Sequence, residues 1–159
     1  MNNQEQKAYF EQLATQYRPI GHTRDAPRFC RYNMDEVVTG LRQNLDLSQY
    51  CLLLEAPTGT LENNQGDGNF DNQEIAFMVI RMVEERNFDE EEQVLSESRR
   101  MGVQLLARII EQGEFADLDL DSIEYDKIGP VFGNCFGYRY TITAVSEISL
   151  ATDPAEWDE

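Results

Sequence analysis

Residues 73–85 read QEIAFMVIRMVEE, and whether that stretch is a strand or a helix decides the fold. It is rich in Ile, Val and Phe and apolar at nearly every position, which suits a central strand covered on both faces. Periodicity alone does not separate that reading from a buried helix. The flanks help. Upstream, YCLLLEA at 50–56 is a short apolar run closed by Pro57 and Gly59, the pattern of a strand. Between the two runs lies NNQGDGNFDNQE at 63–74, a polar, Gly-punctuated stretch that reads as a long connection within 57–74. Downstream comes the clearest helix signal of the chain. Asp89 reads as its cap, Glu90, Glu91 and Glu92 complement its N-terminal dipole, and Gly113 is placed to stop it. Val94, Met101, Leu105 and Ile109 lie along one face.

Further from the centre, residues 4–17 carry Tyr9, Phe10, Leu13 and Tyr17 at near-helical spacing, and Pro19 ends that helix. A connector through Gly21 and Pro27 follows. Asn33 with Glu36 three residues later opens another helix, whose stripe is Val37, Val38, Leu41 and Leu45. The last third reads as a hairpin with arms at 118–128 and 138–150. Tyr138, Tyr140, Ile142 and Ala144 share one face of the second arm, and Arg139, Thr141 and Thr143 the other. The order α-α-β-β-α-β-β predicts one α+β domain, a four-stranded, mostly antiparallel sheet packed against helices. Residues 1–32 read as an N-terminal helix and basic connector arm, 33–150 as the core, and 151–159 as an acidic tail in which Trp157 is the one residue suited to docking.

At 159 residues with 41% hydrophobic content the chain is long enough for a real core. No apolar run approaches the roughly 18 residues of a membrane span; the longest, 75–83, is interrupted by Arg81. The first ten residues lack the basic and apolar regions of a secretory signal. Cys30, Cys51 and Cys135 form no close pair, which favours reduced thiols and a cytoplasmic setting. The net charge of -17 is unevenly spread. Residues 1–50 hold six acids and six bases, 51–110 hold 12 and five, and 111–159 hold 12 and two. Most of this surface repels a nucleic-acid backbone. The exception is YRPIGHTRDAPRFCRY at 17–32, where Arg18, Arg24, Arg28 and Arg31 surround His22. That cluster reads either as solvated arginines on a loop or as a patch that meets an acidic surface, on a neighbouring copy among other places.

His22 is the sole histidine, so any Ser–His or Cys–His pair must use it. No GxSxG elbow, phosphate loop, GxGxxG turn or zinc-type Cys/His spacing is present. The sequence therefore predicts no catalytic set and no cofactor. The 63–74 stretch fits a 12-residue calcium loop in part, with Asp67 at position 5, Gly68 at 6, Asp71 at 9 and Glu74 at 12. Asn63 and Gln65 stand where carboxylates are usual, and Pro57 and Gly59 bar an entering helix, so the loop is expected to make contacts through Asp67 and Asp71 rather than hold a metal.

GPVFGNCFG at 129–137 links the final arms. Its Phe132 and Phe136 read either as exposed anchors for a partner or as aromatics of a bulged turn folded back on the core. The element order, and the closing FGNCFGYRYTITAV at 132–145, resemble the tail-terminator or tail-completion proteins of tailed bacteriophages. The resemblance spans about 33–150 and rests on architecture. It implies a non-enzymatic subunit of a ring, commonly a hexamer, that caps the tail tube and joins it to the neck. It also implies tube and neck proteins as partners, a virion location after assembly in the bacterial cytoplasm, and an acidic lumen through which DNA slides without sequence-specific contact. The charge alone supports a different expectation, a small acidic DNA mimic that blocks a nucleic-acid enzyme.

Overall fold

The computed structural model describes residues 1–32, 45–63, 66, 68–115, 117–121 and 123–158. The helix expected from Asn33 onward falls on 33–44 and lies outside the described residues, as does Asp67. Two helices and six strands are described: α1 (Asn3–Gln16), β1 (Phe29–Tyr32), β2 (Cys51–Glu55), β3 (Thr58–Asn63), β4 (Asn69–Met82), α2 (Phe88–Gln112), β5 (Glu124–Val131) and β6 (Cys135–Ile148). A 3-10 turn at Pro154–Glu156 closes the chain, and Trp157 beside it is 64% exposed.

The deciding stretch is a strand, and it is the middle of the sheet. The order is β1-β2-β4-β6-β5, with β3 also on β4, and every pairing is antiparallel except β1 with β2. Its continuous apolar pattern has the expected cause. Ile75, Phe77 and Val79 pack with Phe10 and Leu13 of α1 and with Met101, Leu105 and Ile109 of α2. Met78 and Ile80 point the other way, into a second cluster with Tyr32, Leu47, Cys51, Leu53, Phe132 and Cys135. Alternation on the hairpin arm holds as well, with Tyr140 and Ile142 buried on the helix side.

The fold is α+β as expected, but the sheet has six described strands rather than four. β1 hides in the arginine-rich connector because it is only four residues long and carries Arg31 at its centre. β3 hides because all six of its residues are exposed, so no hydrophobic period marks it; the backbone ladder to β4 holds it instead. β2 and β3 are nearly one strand. Leu54 pairs with Phe77 and Thr58 with Glu74, so three residues oppose two, and this bulge falls where Pro57 lacks an N–H to donate. The long connection expected over 57–74 is therefore a hairpin closed between Asn63 and Asn69, with Gly66 and Gly68 at φ +102° and +127° in its turn.

Helix boundaries correct one cap. Asn87, not Asp89, caps α2: its Oδ1 accepts from the Glu90 N–H at 3.0 Å, and its side-chain amide donates to Glu90 Oε2 at 3.2 Å. Gly113 adopts the left-handed conformation and stops the helix as expected. α1 starts with a capping box between Asn2 and Glu5. α2 is bonded directly to the sheet. The Ser98 hydroxyl donates to the Val79 carbonyl at 2.6 Å and accepts from the Tyr138 N–H at 3.0 Å, bridging the β4–β6 ladder beside Gly137. One turn on, Gly102 leaves room for the ring of Tyr140, whose hydroxyl donates to the Arg99 carbonyl at 2.9 Å.

Candidate interaction surfaces

The helices cover one face of the sheet. On the other, the half nearest β1 and the β5–β6 turn is the buried second cluster. Next to it, Glu55 gathers the polar groups of three strands. Tyr32 donates to Glu55 Oε1 at 2.7 Å, Arg139 donates to Glu55 Oε2 through Nε at 2.9 Å, and Arg139 Nη1 donates to Thr141 Oγ1 at 3.1 Å. Burial, then the Glu55 hydrogen bond, pushes the Tyr32 hydroxyl up, so it stays protonated as a donor. The Glu55 hydrogen bond likewise raises Arg139. These groups, with Thr58, Glu74 and Ala76, line a cleft of about 300 Å³.

Beyond the cleft lies a ribbon of β3, β4 and β6 roughly 20 Å long whose described residues are exposed or half-buried. Register and strand alternation place Glu55, Glu62, Glu74 and Glu147 on this face, joined by Glu124 and Asp126 of β5. Glu62, Glu74, Glu124, Asp126 and Glu147 are exposed. Among the described strand residues Arg139 is the cation of this face, and Glu55 already pairs with it. Among the described strand residues six carboxylates thus stand against one guanidinium, an excess of five negative charges.

The arginine-rich connector is ordered. His22 is buried; its Nδ1 accepts from the Arg28 N–H at 2.9 Å, which puts the proton on Nε2, 3.3 Å from Glu11 Oε1. Both ring nitrogens are thus engaged in holding the loop. Arg28 is half-buried and committed to the Ile20 carbonyl at 2.8 Å, with Gly21 at φ +62° making the turn above it. Arg31 is half-buried on β1, whereas Arg18 and Arg24 are exposed. The four arginines expected as one patch therefore divide into two that build the loop or strand and two that face solvent.

The remaining expected contact residues fare differently. Phe132 and Phe136 are 9% and 7% exposed, so both fold back on the core and neither is an exposed anchor. Phe132 packs edge-on against Tyr32 at 6.1 Å, and Phe136 joins Val83, Val94 and Leu95. Asp71 is half-buried on the helix side, where its Oδ2 accepts from Gln73 Nε2 at 3.0 Å and Gln73 accepts from buried Gln6 at 2.7 Å. Asp71 and Glu74, three apart on extended β4, point to opposite faces and so do not form the wall of a calcium loop.

A surface that residue types alone did not single out is the segment entering β5. Glu114, Asp117, Asp119, Asp121, Glu124 and Asp126 are all exposed there, and Leu120 among them is 54% exposed. The segment is held against β6 by the Asp119 N–H on the Thr143 carbonyl and the Val145 N–H on the Asp117 carbonyl. The signal was the run of alternating acids at 117–121, visible but indistinguishable from a solvated strand arm. Compared with known proteins, the chain matches no family model, no curated protein and no solved structure.

Proposed function

We propose that this chain is a non-enzymatic assembly subunit that closes into a ring, with the open acidic sheet face turned to the lumen, in the manner of a phage tail terminator or head–tail joining protein. The observation that carries this reading is the excess negative charge among the described residues on the exposed half of the sheet opposite the helices. Such a wall repels phosphate and so suits a duct through which DNA must slide without sticking. A helix layer on one side and a polar sheet on the other also supports a subunit with distinct outer and inner surfaces. Light scattering and negative-stain imaging of the purified chain, alone and with a tail tube, test it: rings support the reading, and a monomer at every salt concentration in both settings overturns it.

The same acidic face favours one other reading, a DNA mimic seated in a basic enzyme groove. That reading expects a monomer or dimer that captures a nuclease in a salt-sensitive way. Ring formation without nuclease capture decides for assembly.

A further inference from the structure

The sheet order puts β1 and β5 at opposite edges of the molecule. The loop that enters β1 and the segment that enters β5 therefore lead into opposite edges of the sheet, and they carry opposite charge. Residues 18–31 hold four of the chain's 13 basic residues, with Arg18 and Arg24 exposed. Residues 114–121 hold four exposed acids and no base. Hydrogen bonds hold both segments at described residues. The His22 and Arg28 hydrogen bonds fix the first, and the backbone bonds to Thr143 and Val145 fix the second. Two preformed, oppositely charged surfaces on opposite edges of one chain are complementary between copies.

We propose that the exposed Arg18 and Arg24 of one copy dock on Glu114, Asp117, Asp119 and Asp121 of a second copy, with exposed Leu120 at the centre of the contact. This inference rests on the assembly reading and names its seam. The contact is heterologous, each copy using one edge to give and the other to receive, so it builds rings where the rotation closes. The two surfaces also sit at different heights. The arginine loop joins the sheet at Leu52, and the acidic segment joins it at Thr143, so in a closed ring the strands are inclined to the line that joins successive copies. Exposed charges are screened beyond about 8 Å at physiological salt, so the contact weakens as salt rises.

The test uses two variants of the full chain, Arg18→Glu with Arg24→Glu, and Glu114→Lys with Asp119→Lys and Asp121→Lys, which leaves Asp117 as that segment's one acid. None of these five side chains is buried, and circular dichroism with thermal melting checks that each variant folds as the parent does. Each variant alone should drop to the 18.4 kDa mass of one chain, because both of its edges then carry the same sign. An equimolar mixture should regain the parent mass, because each edge then meets its opposite. A parent that assembles while both variants keep its mass, or a mixture that stays monomeric, overturns this seam and leaves the assembly reading standing. A parent that is monomeric throughout overturns both.

Discussion

Gly137 has no room for a side chain: a Cβ built there would stand 1.8 Å from the Val79 carbonyl oxygen. The same small volume admits the Ser98 hydroxyl between β4 and β6. Gly137→Ala should therefore cost about 3 kcal/mol or more, since backbone rather than a flexible side chain has to move. Ser98→Ala should cost about 1 kcal/mol by removing the buried hydroxyl that bridges the Val79 carbonyl and the Tyr138 N–H. Urea midpoints of the two variants check both figures, and a change of under about 0.5 kcal/mol in either would show that α2 is not pinned there. The tyrosines make a separate prediction. Burial, with Glu114 nearby, pushes Tyr9 from the ordinary 10.0 to about 12, and burial raises Tyr140 likewise to about 12. The folded state favours the protonated hydroxyls, which donate to Gln112 and to the Arg99 carbonyl. Their contribution is thus whole below pH 10 and is lost as pH rises toward 12. Ultraviolet titration should show Tyr9 and Tyr140 ionising late, with Tyr17, Tyr32 and Tyr50 also raised by burial, together with loss of near-ultraviolet circular dichroism. Burial also raises the Cys51 thiol to about 12, so a thiol reagent at neutral pH should modify it only as the protein opens.

At the scale of elements, α2 separates two residue roles that look alike in sequence. Asn87 binds a backbone N–H at the helix start, whereas Asp89 lies inside the first turn and acts only on the dipole. Asn87→Ala should lower stability by about 1 kcal/mol, and Asp89→Ala by no more than a few tenths at moderate salt. Equal losses in thermal denaturation would refute the assignment. A polar segment such as β3 shows why strand counts are hard to read from residue types. Its pairing depends on backbone groups that every sequence has, and no buried side chain announces it. The β3–β4 turn is constrained all the same: Gly66 and Gly68 occupy positive φ, which other residues adopt at a cost.

For the whole molecule, the charge distribution makes a claim about nucleic acid. The open face should bind duplex DNA no better than background at physiological salt, because the excess of carboxylates among its described residues opposes it. Replacing Glu62, Glu74 and Glu147 by Lys reverses the local sign, and fluorescence anisotropy should then show at least about tenfold tighter DNA binding that weakens steeply with salt. These three residues are exposed on the sheet surface, so the fold should tolerate the change. If affinity stays flat, the acidic face is not what keeps DNA away.

The sequence by itself determined the α+β class, both described helices and the inward face of the last arm. Each of these follows from apolar periodicity or capping chemistry, which act locally and leave a local trace. Only the tertiary structure decided the rest. Packing turned Phe132 inward on the second cluster and Phe136 inward on Val83, Val94 and Leu95, a choice the Gly-rich turn left open. Backbone pairing made strands of β1 and β3, because a ladder needs a neighbour rather than a particular side chain. Sheet order, which no local pattern encodes, carried the arginine loop and the acidic segment to opposite edges. A net charge of -17 read from composition is only a sum, and the fold turns it into a surface with direction.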